Sequence, residues 1–344
     1  MKIGIVTVYE SITNLGSFLQ AYALKRVLEK MGHEVYVIQN MSKWKSVRKC
    51  VMKINPKREI LLRIKKSKYF LNDMKKLRLL PKERMHSEKF DCIIYGSDEI
   101  WNLDNVYFRE ELFWGKGAEE IPKIAYAVSM GAMSEETFSE SENRISDVHK
   151  FDEIMVRDDY TQTVLEKYLL EKKNMVCDPT LLLPLVEMEA NVKVPKEKYL
   201  LVYTYGVDNE LIEQIKKFAA IKQLKIVSVC FWHLWADEVI ECSALQFSKL
   251  ISKAEYVFTS TFHGAIFTLL NHKQCCIFPY REKVKDIVTK LGEEKYLISE
   301  TCDQKTFQDT MEQRFDSVRF EKKLLKIRND SQEKLEGALQ CLKK

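Results

Sequence analysis

The stretch KIGIVTVYESITNLGSFLQAYALKRVLEKMGHEVYVI, residues 2–38, decides the fold class. Its β-branched start at 2–8 predicts a buried strand, and a loop then leads into apolar residues at helical spacing. Gly32 is typical of the position just after a helix, and a second strand is predicted at 34–38. A strand, a helix and a strand in this order form a βαβ unit with parallel strands and a right-handed crossover. The stretch therefore predicts an α/β fold.

The same alternation continues along the chain. Further buried strands of the first half are predicted at 90–98, 123–131 and 153–159, and residues 175–183 complete that half. After a segment with a proline at each end, strands and helices alternate again, and Asp208 is the predicted cap of a helix.

We therefore predict four parts: a first Rossmann-like domain at 1–183, a linker at 184–196, a second Rossmann-like domain at 197–317 and a C-terminal helix at 318–344. The two domains are expected to face each other across a cleft, because open parallel sheets bind ligands beyond the carboxyl ends of their strands.

The composition fits a compact protein, with 344 residues, 46% of them hydrophobic, and only seven prolines. Nine scattered cysteines without a Cys-x-x-Cys spacing favour reduced, buried thiols over a disulfide framework or a zinc site. The apolar run after Met1 is too short for a signal peptide, and no stretch reaches eighteen uninterrupted apolar residues. We expect a cytoplasmic protein.

Residues 43–84 are strongly basic, with 16 Lys and Arg against 3 Asp and Glu, whereas the whole chain has a formal net charge of +5. This segment is predicted as a helical insertion with apolar residues on one stripe: Ile60, Leu61, Ile64, Leu71, Met74 and Leu77. It either contacts an anionic membrane at its inner face or is a solvated cover over the first domain. Few aromatic residues interleave with the charges, so we expect no nucleic-acid partner.

Residues 259–264, TSTFHG, lie between a predicted strand end and a helix start. Hydroxyls at such a place cap the helix, and the helix N-terminus attracts phosphate or carboxylate groups. Gly264 would let a ligand approach the backbone, and His263 can donate a proton near neutral pH. The alternative is a capping turn whose histidine only packs. No spacing of His, Asp or Glu predicts a metal site.

Six motifs occur in order between residues 14 and 264. They are Asn14-Leu15-Gly16 with Leu19-Gln20-Ala21-Tyr22-Ala23-Leu24, Gly96-Ser97-Asp98-Glu99-Ile100-Trp101-Asn102, IAYAVSMG at 124–131, Val156-Arg157-Asp158-Asp159, DPTLLL at 178–183, and Ser260-x-x-His263-Gly264. Together they resemble the signatures of the polysaccharide pyruvyl transferase family, and they cover most of the chain.

The resemblance implies a GT-B-like arrangement of the two Rossmann-like domains, with the acceptor side in the first and the donor side in the second. It also implies transfer of the enolpyruvyl group of phosphoenolpyruvate onto two hydroxyls of a sugar, forming a pyruvate ketal in a cell-surface polysaccharide or its precursor. Phosphoenolpyruvate is then the donor substrate and no cofactor is required. The implied acceptor is a sugar, with a lipid-linked oligosaccharide as one form of it.

For the donor, the resemblance implies that His263 is the acid that protonates the enol. Arg157 corresponds to the family arginine that pairs with the donor's anionic groups, although an ion pair with Asp158 or Asp159 is the alternative. The implied donor site also includes Ser260, Thr261, Phe262, Gly264 and Arg281.

The sequence departs from the family at Thr261, where many members have an arginine. Arg281, Lys273 and Lys283 are candidates for the missing cation, and a solvated surface charge is the alternative for each of them.

For the acceptor, the implied residues are Asn14, Gly16, Ser97, Asp98, Trp101 and Asn102. Asp98 would orient or deprotonate a sugar hydroxyl, or else cap a helix that starts near Glu99. Trp101 would stack on a sugar face, or else belong to the core. His233, in the aromatic stretch FWHLW at 231–235, is a further candidate for sugar contact, with packing as its alternative.

Two other functions fit the same fold. A GT-B glycosyltransferase would use a nucleotide-sugar donor, but the second half lacks the pair of glutamates eight positions apart that retaining members often have, since His263 follows Glu255 at that spacing. A non-catalytic binding protein is the other alternative, and the retention of His263 and Arg157 argues against it.

Overall fold

The computed structural model of the protein describes residues 1–10, 14–39 and 57–342, with the backbone alone at 57–63. The described residues form two compact units. The first unit comprises residues 1–10, 14–39, 70–184 and 325–342, and the second comprises 57–69 and 185–324. Each unit has one parallel sheet connected through helices, so the predicted α/β fold class is confirmed.

A seven-stranded sheet forms the centre of the first unit. Its strands are β1 (Lys2–Val6), β2 (Glu34–Gln39), β3 (Leu79–Pro81), β4 (Cys92–Tyr95), β5 (Lys123–Val128), β6 (Glu153–Val156) and β7 (Asn174–Met175). They lie in the order β3-β2-β1-β4-β5-β6-β7, and each neighbouring pair is parallel. The strand order reverses between β1 and β4, and the carboxyl ends at such a reversal are where open sheets bind ligands.

The second unit has a five-stranded sheet of the same kind. Its strands are β8 (Tyr199–Tyr203), β9 (Lys225–Val229), β10 (Glu238–Ile240), β11 (Tyr256–Thr259) and β12 (Cys275–Ile277). Their order is β10-β9-β8-β11-β12, again with parallel neighbours. Here the order reverses between β8 and β11. The stretch 259–264 therefore follows a strand at the reversal point of its sheet.

The α-helices connect these strands. They are α1 (Leu15–Lys30), α2 (Lys57–Met74), α3 (Glu135–Ser139), α4 (Glu142–Val148), α5 (Asp159–Leu169), α6 (Pro179–Leu182), α7 (Asn209–Ile221), α8 (Ala244–Lys253), α9 (Phe262–Leu270), α10 (Glu282–Leu291), α11 (Gln304–Met311) and α12 (Ser317–Cys341). Short 3₁₀ helices lie at Lys82–Glu88, Val106–Arg109, Glu111–Trp114, Leu185–Met188 and Glu294–Tyr296. Asp208 caps α7 by accepting a hydrogen bond from the Leu211 amide at 2.8 Å, as predicted.

The basic segment 43–84 is not a single helical insertion. Residues 43–56 lie outside the described part of the chain, and α2 follows them. Residues Leu79–Pro81 then form β3, which pairs with β2 at the edge of the first sheet. The prediction of a helical insertion is wrong here because two leucines supply a short apolar strand, and a proline is tolerated at a sheet edge.

The predicted apolar stripe of this segment is also divided. Met74 and Leu77 are buried in the first unit, whereas Ile64 and Leu71 are 47% and 41% exposed. The side chains of Ile60 and Leu61 lie outside the described part. Among the described helices, none combines the length and the apolar character needed to cross a membrane.

The segment predicted as a linker packs against the second unit. The Ala190 amide donates to the Leu245 carbonyl at 2.8 Å, and the Gln246 side chain donates to the Asn191 carbonyl at 2.8 Å. The boundary between the two units falls after Pro184, at the start of the predicted linker. Because α8 holds residues 190 and 191 by their backbone, this part of the segment belongs to the second unit.

Helix α12 is shared by the two units, which divide it after Leu324. In its first part, Arg319 pairs with the buried carboxylate of Glu293 at 2.6 Å. In its second part, the Ser331 hydroxyl accepts a hydrogen bond from the Cys177 amide at 2.9 Å, and Arg328 donates to the Leu181 carbonyl. The first unit is therefore completed by the C-terminal residues.

Candidate functional site

In the first unit, Gln20 of α1 joins the carboxyl ends of β1 and β4. Its carbonyl oxygen accepts from the Ser97 amide at 3.2 Å and from the Ser97 hydroxyl at 3.1 Å. Its amide nitrogen donates to the Thr7 hydroxyl at 3.1 Å and to the Val8 carbonyl at 2.5 Å. The Thr7 hydroxyl donates in turn to the Ser97 carbonyl at 2.9 Å. The polar groups of both strand ends are thus held by one fully buried side chain.

Four predicted acceptor residues come together here. Asn14 is the N-cap of α1, and its side chain accepts from the Gly16 amide at 2.9 Å. The Ser17 hydroxyl, one residue further on, donates to the Asp98 carboxylate at 3.4 Å. The N-terminus of α1 and the end of β4 are therefore adjacent, which places Asn14, Gly16, Ser97 and Asp98 at one corner of the first sheet.

Asp98 has a left-handed backbone, with φ of 78°, and its side chain is largely buried. Its carboxylate accepts from the Glu99 amide at 2.9 Å, but no helix starts there, and turns follow instead. The capping alternative for Asp98 is therefore wrong. A non-glycine residue at positive φ is uncommon and occurs often at functional sites.

The ring of Trp101 does not offer a sugar-binding face at this corner. The indole of Trp101 is 0% exposed, stacks on Trp114 at 5.7 Å and donates to the Phe113 carbonyl at 3.1 Å. Its predicted stacking on a sugar is contradicted, because the core covers the ring. Asn102 accepts from the Asp104 amide at 3.1 Å and so shapes a turn.

Arg157 is buried among carboxylates of the first unit. One guanidinium nitrogen donates to Asp178 at 2.9 Å, and another lies 3.9 Å from Asp98, with the arginine 5% exposed. Burial lowers the pKa of Arg157, but Asp178 and Asp98 more than offset this, so the pKa is raised. The Arg157 cation is thus matched chiefly by these two acids. Of the predicted partners Asp158 and Asp159, Asp158 adds a weaker electrostatic attraction while its side chain caps α5, and Asp159 is exposed in the first turn of that helix.

In the second unit, hydroxyl groups connect the carboxyl ends of β8 and β11. The Thr259 hydroxyl donates to the Tyr203 carbonyl at 2.7 Å, and the hydroxyls of Ser260 and Thr204 are 2.5 Å apart. The Thr261 hydroxyl accepts from the Gly264 amide at 3.0 Å and caps α9. The predicted capping by a hydroxyl is thus found at Thr261 alone among these residues, and the helix begins at Phe262.

His263 is the second residue of α9 and is 5% exposed. Its imidazole ring and the ring of Phe262 make an edge-to-face contact, with ring centroids 5.1 Å apart. The neighbours Ser260 and Thr261 are buried as well. The turn therefore places a titratable ring at the positive end of an apolar helix, in surroundings that hold little water.

Gly264 has a packing role that differs from the predicted one. A Cβ atom at this position would lie 2.1 Å from the Thr259 hydroxyl oxygen and 2.4 Å from that of Thr261. It would also lie 2.9 Å from the Tyr203 ring. The space is thus filled by the turn itself, and the glycine permits the close approach of α9 to β8 and β11 rather than that of a ligand.

Of the three candidate cations, Lys283 contacts this turn. Its ammonium nitrogen is 5.7 Å from the centre of the Phe262 ring. Lys273 donates to the Ala254 carbonyl at 2.8 Å. Ala254 precedes β11, so this contact lies at the amino end of the strand, whereas the turn lies at its carboxyl end. Arg281 is exposed at the N-cap of α10 and makes no capping hydrogen bond with its side chain.

His233 lies between the aromatic rings of Phe231 and Trp235, next to the carboxyl end of β8. Its ring stacks on Trp235 at 5.2 Å and on Phe231 at 6.3 Å. Its Nε2 donates to the Thr204 carbonyl at 3.0 Å, and burial lowers the pKa of His233. The packing alternative accounts for these contacts.

Three polar residues of these strand ends were missed from the sequence: Gln20, Thr204 and Asp178. Gln20 and Asp178 lie within the quoted motifs, where a polar residue in an otherwise apolar stretch is the signal that could have identified them. For Thr204, the only indication in the sequence was its position at the end of a predicted strand.

Sequence comparison relates the chain to one family. The family model of the polysaccharide pyruvyl transferases matches residues 14–282. None of the curated protein sequences matches the chain.

Structural comparison relates the fold to sugar-nucleotide enzymes. UDP-GlcNAc 2-epimerase of Methanocaldococcus jannaschii is similar with a TM-score of 0.56 at 14% identity, over 93% of this chain and 94% of that one. The enzyme of Neisseria meningitidis bound to UDP-GlcNAc has a TM-score of 0.56 at 11% identity, over 99% and 100%. The spinosyn forosaminyltransferase SpnP has a TM-score of 0.51 at 10% identity, over 100% of both chains. At these identities the likeness concerns the fold alone, which is of the GT-B type with two Rossmann-like domains.

Proposed function

The chain belongs to the polysaccharide pyruvyl transferase family, and from this we propose that it transfers the enolpyruvyl group of phosphoenolpyruvate onto a pair of sugar hydroxyls to form a pyruvate ketal. The observation that carries the proposal is the placement of His263 at the strand-order reversal of the second sheet, on the first turn of α9. A proton donor and the positive end of a helix dipole are thereby combined at one strand end.

The proposed reaction needs an acid, because C3 of the enol must take up a proton. The imidazolium of His263 gives that proton, and C2 then develops positive charge that the first sugar hydroxyl attacks. Phosphate leaves, the second hydroxyl adds to C2, and the two hydroxyl protons pass to the histidine and to the phosphate. The burial of His263 supports this role, because water competing for C2 would hydrolyse the donor.

The donor carries a phosphate and a carboxylate, so it requires positive charge near the acid. We assign this charge to Lys283, whose ammonium group lies over the Phe262 ring beside His263. Lysine in the first turn of a helix opposes the helix dipole, so its position in α10 is unfavourable for the helix alone. An anion at the turn would offset that cost. Ser260 and Thr261 would contact the donor from the same turn, and Arg281 is exposed at the N-cap of α10.

Arg157 is less suited to the donor than the sequence predicted. Its guanidinium lies between two carboxylates in the first unit, and binding of phosphate would compete with both of them. In the proposed function Arg157 holds Asp98 in place. Asp98, Ser97, Asn14 and Gly16 form the proposed acceptor corner, where the Asp98 carboxylate would orient a sugar hydroxyl by accepting a hydrogen bond from it.

We further propose a cytoplasmic enzyme that needs no cofactor and acts on a free or lipid-linked oligosaccharide. The exposed Ile64 and Leu71 of α2, within the basic segment, support a peripheral contact with an anionic membrane. Sedimentation with vesicles of phosphatidylglycerol and phosphatidylcholine at low salt tests this contact. Protein that stays in the supernatant would leave the segment as a solvated cover.

Release of inorganic phosphate from phosphoenolpyruvate tests the proposed reaction. A panel of free and lipid-linked oligosaccharides should contain an acceptor that stimulates release, and the product should gain the mass of one pyruvate ketal. Phosphoenolpyruvate should also raise the melting temperature of the protein, whereas uridine and guanosine diphosphates should not. Stabilisation by a nucleotide alone would instead favour a glycosyltransferase.

A further inference from the structure

Cys230 and Cys242 bring two sulfur atoms within 3.6 Å of each other in the second unit. Cys230 follows β9, and Cys242 lies two residues after β10. These strands are parallel neighbours, and the Cys230 amide donates to the Ile240 carbonyl at 2.9 Å. The ladder of the sheet therefore fixes the distance between the two cysteines, and both are buried.

The backbone of Cys230 explains why the sulfur atoms meet. Its φ is 60°, a left-handed conformation that non-glycine residues rarely adopt. Side chains alternate between the two faces of a regular strand, and this conformation interrupts the alternation at the end of β9. The Cys230 sulfur consequently approaches both the Cys242 carbonyl, at 3.8 Å, and the Cys242 sulfur.

Cysteines elsewhere in the protein have different surroundings. Cys275 and Cys276 are consecutive residues of one strand, so their side chains point to opposite faces. The Cys276 thiol donates to the Phe307 carbonyl at 3.4 Å, and burial raises the pKa of Cys275 and Cys276 well above the usual value. Burial also raises the pKa of Cys92 to about 12. These thiols are poor nucleophiles near neutral pH.

We propose that Cys230 and Cys242 form a dithiol site that a low-molecular-weight disulfide, such as oxidised glutathione, converts to an intramolecular disulfide. One cysteine thiolate attacks the oxidant and forms a mixed disulfide, releasing one glutathione thiolate. The other cysteine then attacks the mixed disulfide and releases the second glutathione. The two protein thiols are oxidised, the glutathione disulfide is reduced to two thiols, and the sulfur atoms approach to about 2.05 Å.

The edge of the sheet gives the oxidant its access. β10 is the outermost strand, has only three residues, and all three are partly exposed. Opening of such a strand requires little disruption of the core, and it would uncover the buried sulfur atoms. Oxidation should therefore be slower than that of an exposed thiol and should accelerate in mild denaturant.

The disulfide would close a ring around the aromatic segment 231–235. This segment carries His233, whose Nε2 donates to the Thr204 carbonyl, and the Thr204 hydroxyl contacts Ser260. Oxidation would thus restrain the residues next to the TSTFHG turn. The site is independent of the proposed reaction, because it needs neither donor nor acceptor.

The test is incubation of the purified full-length protein in glutathione buffers of increasing oxidised fraction. The protein is then denatured so that buried thiols can react, remaining thiols are blocked with iodoacetamide, disulfides are reduced, and the new thiols are labelled with N-ethylmaleimide before peptide mass mapping. We expect N-ethylmaleimide labelling of Cys230 and of Cys242 to rise together as the buffer becomes more oxidising, with one midpoint redox potential for both residues. Chymotrypsin should also cleave within 231–235 at least about tenfold more slowly after oxidation.

The variants C230S and C242S should each abolish the intramolecular disulfide, whereas C92S should leave it unchanged. Iodoacetamide labelling of both cysteines in fully oxidised buffer after prolonged incubation would overturn the proposal. So would a disulfide that joins either residue to another cysteine. Since mapping is done on the unaltered protein, the result does not depend on the folding of a variant.

Discussion

The side-chain carbonyl of Gln20 accepts two hydrogen bonds from Ser97, one from its amide and one from its hydroxyl. Through this contact a residue of the first helix fixes the end of a strand about 77 residues further along the chain. Replacing Gln20 by leucine would leave the Ser97 amide and the Val8 carbonyl buried without this partner. We expect Q20L to lower the free energy of unfolding by about 2–4 kcal/mol in urea titrations.

The control for this variant is Q332A on α12. Gln332 is exposed and donates to Glu336, four residues further along the helix. Its loss should change the free energy of unfolding by less than about 0.5 kcal/mol. Equal stability of Q20L and the unaltered protein would mean that Gln20 does not hold the strand ends together.

Replacement of Arg157 separates its structural role from donor binding. R157M leaves Asp178 buried without its cation, so we expect a loss of about 3–5 kcal/mol in the free energy of unfolding. The double variant R157M/D178N removes the uncompensated charge and should recover part of this loss. If R157M were as stable as the unaltered protein but no longer bound phosphoenolpyruvate, Arg157 would instead be assigned to donor binding.

The turn before α9 should not tolerate a methyl group at Gly264. In G264A the new Cβ would overlap the hydroxyl oxygens of Thr259 and Thr261, so we expect a loss of at least about 1–3 kcal/mol by urea denaturation. The matched control is G337A on α12, where a Cβ would meet no atom within 4 Å. That variant should be more stable by about 0.5–1 kcal/mol, because alanine favours the helix.

His263 should be required for chemistry and not for the fold. We expect H263N to slow phosphate release by about 10²–10⁴-fold while phosphoenolpyruvate still raises the melting temperature. H149A, at an exposed histidine of the first unit, should have the activity of the unaltered protein. Unchanged phosphate release by a folded H263N variant would assign the ring to packing.

Lys283 should contribute to donor affinity. K283M is expected to weaken phosphoenolpyruvate binding by at least about tenfold, measured calorimetrically, because it removes the ammonium group beside the turn. K283R should retain much of the affinity. K285M changes an exposed lysine of the same helix, which pairs with Glu282, and should bind like the unaltered protein. Equal affinity of K283M and K285M would exclude Lys283 as the donor's cation.

Local patterns were sufficient to predict most of the fold. The β-branched runs, the glycine after α1 and the cap at Asp208 act over a few residues, and each is found where the pattern placed it. β3 was missed because three residues paired at a sheet edge leave too short a pattern, and they follow a basic helix. The stretch 259–264 was predicted to precede its helix, although α9 already begins at Phe262, after its cap Thr261.

Residue roles in the site were harder to predict, because they depend on distant partners. Trp101 is covered by Trp114 and Phe151, which come from two later segments. Arg157 pairs with Asp178 and Asp98, which are both distant from it in the sequence. In both cases the side chain was correctly recognised as part of a motif, but its surroundings were set by tertiary packing.

The division of α12 between the two units has a consequence for biosynthesis. The amide of Cys177 and the carbonyl of Leu181 in the first unit are satisfied by Ser331 and Arg328. A ribosome makes these partners only after it has made the whole second unit. The sheet of the first unit is therefore translated before the second unit but gains these partners after it, so this surface of the nascent chain stays without them until α12 emerges.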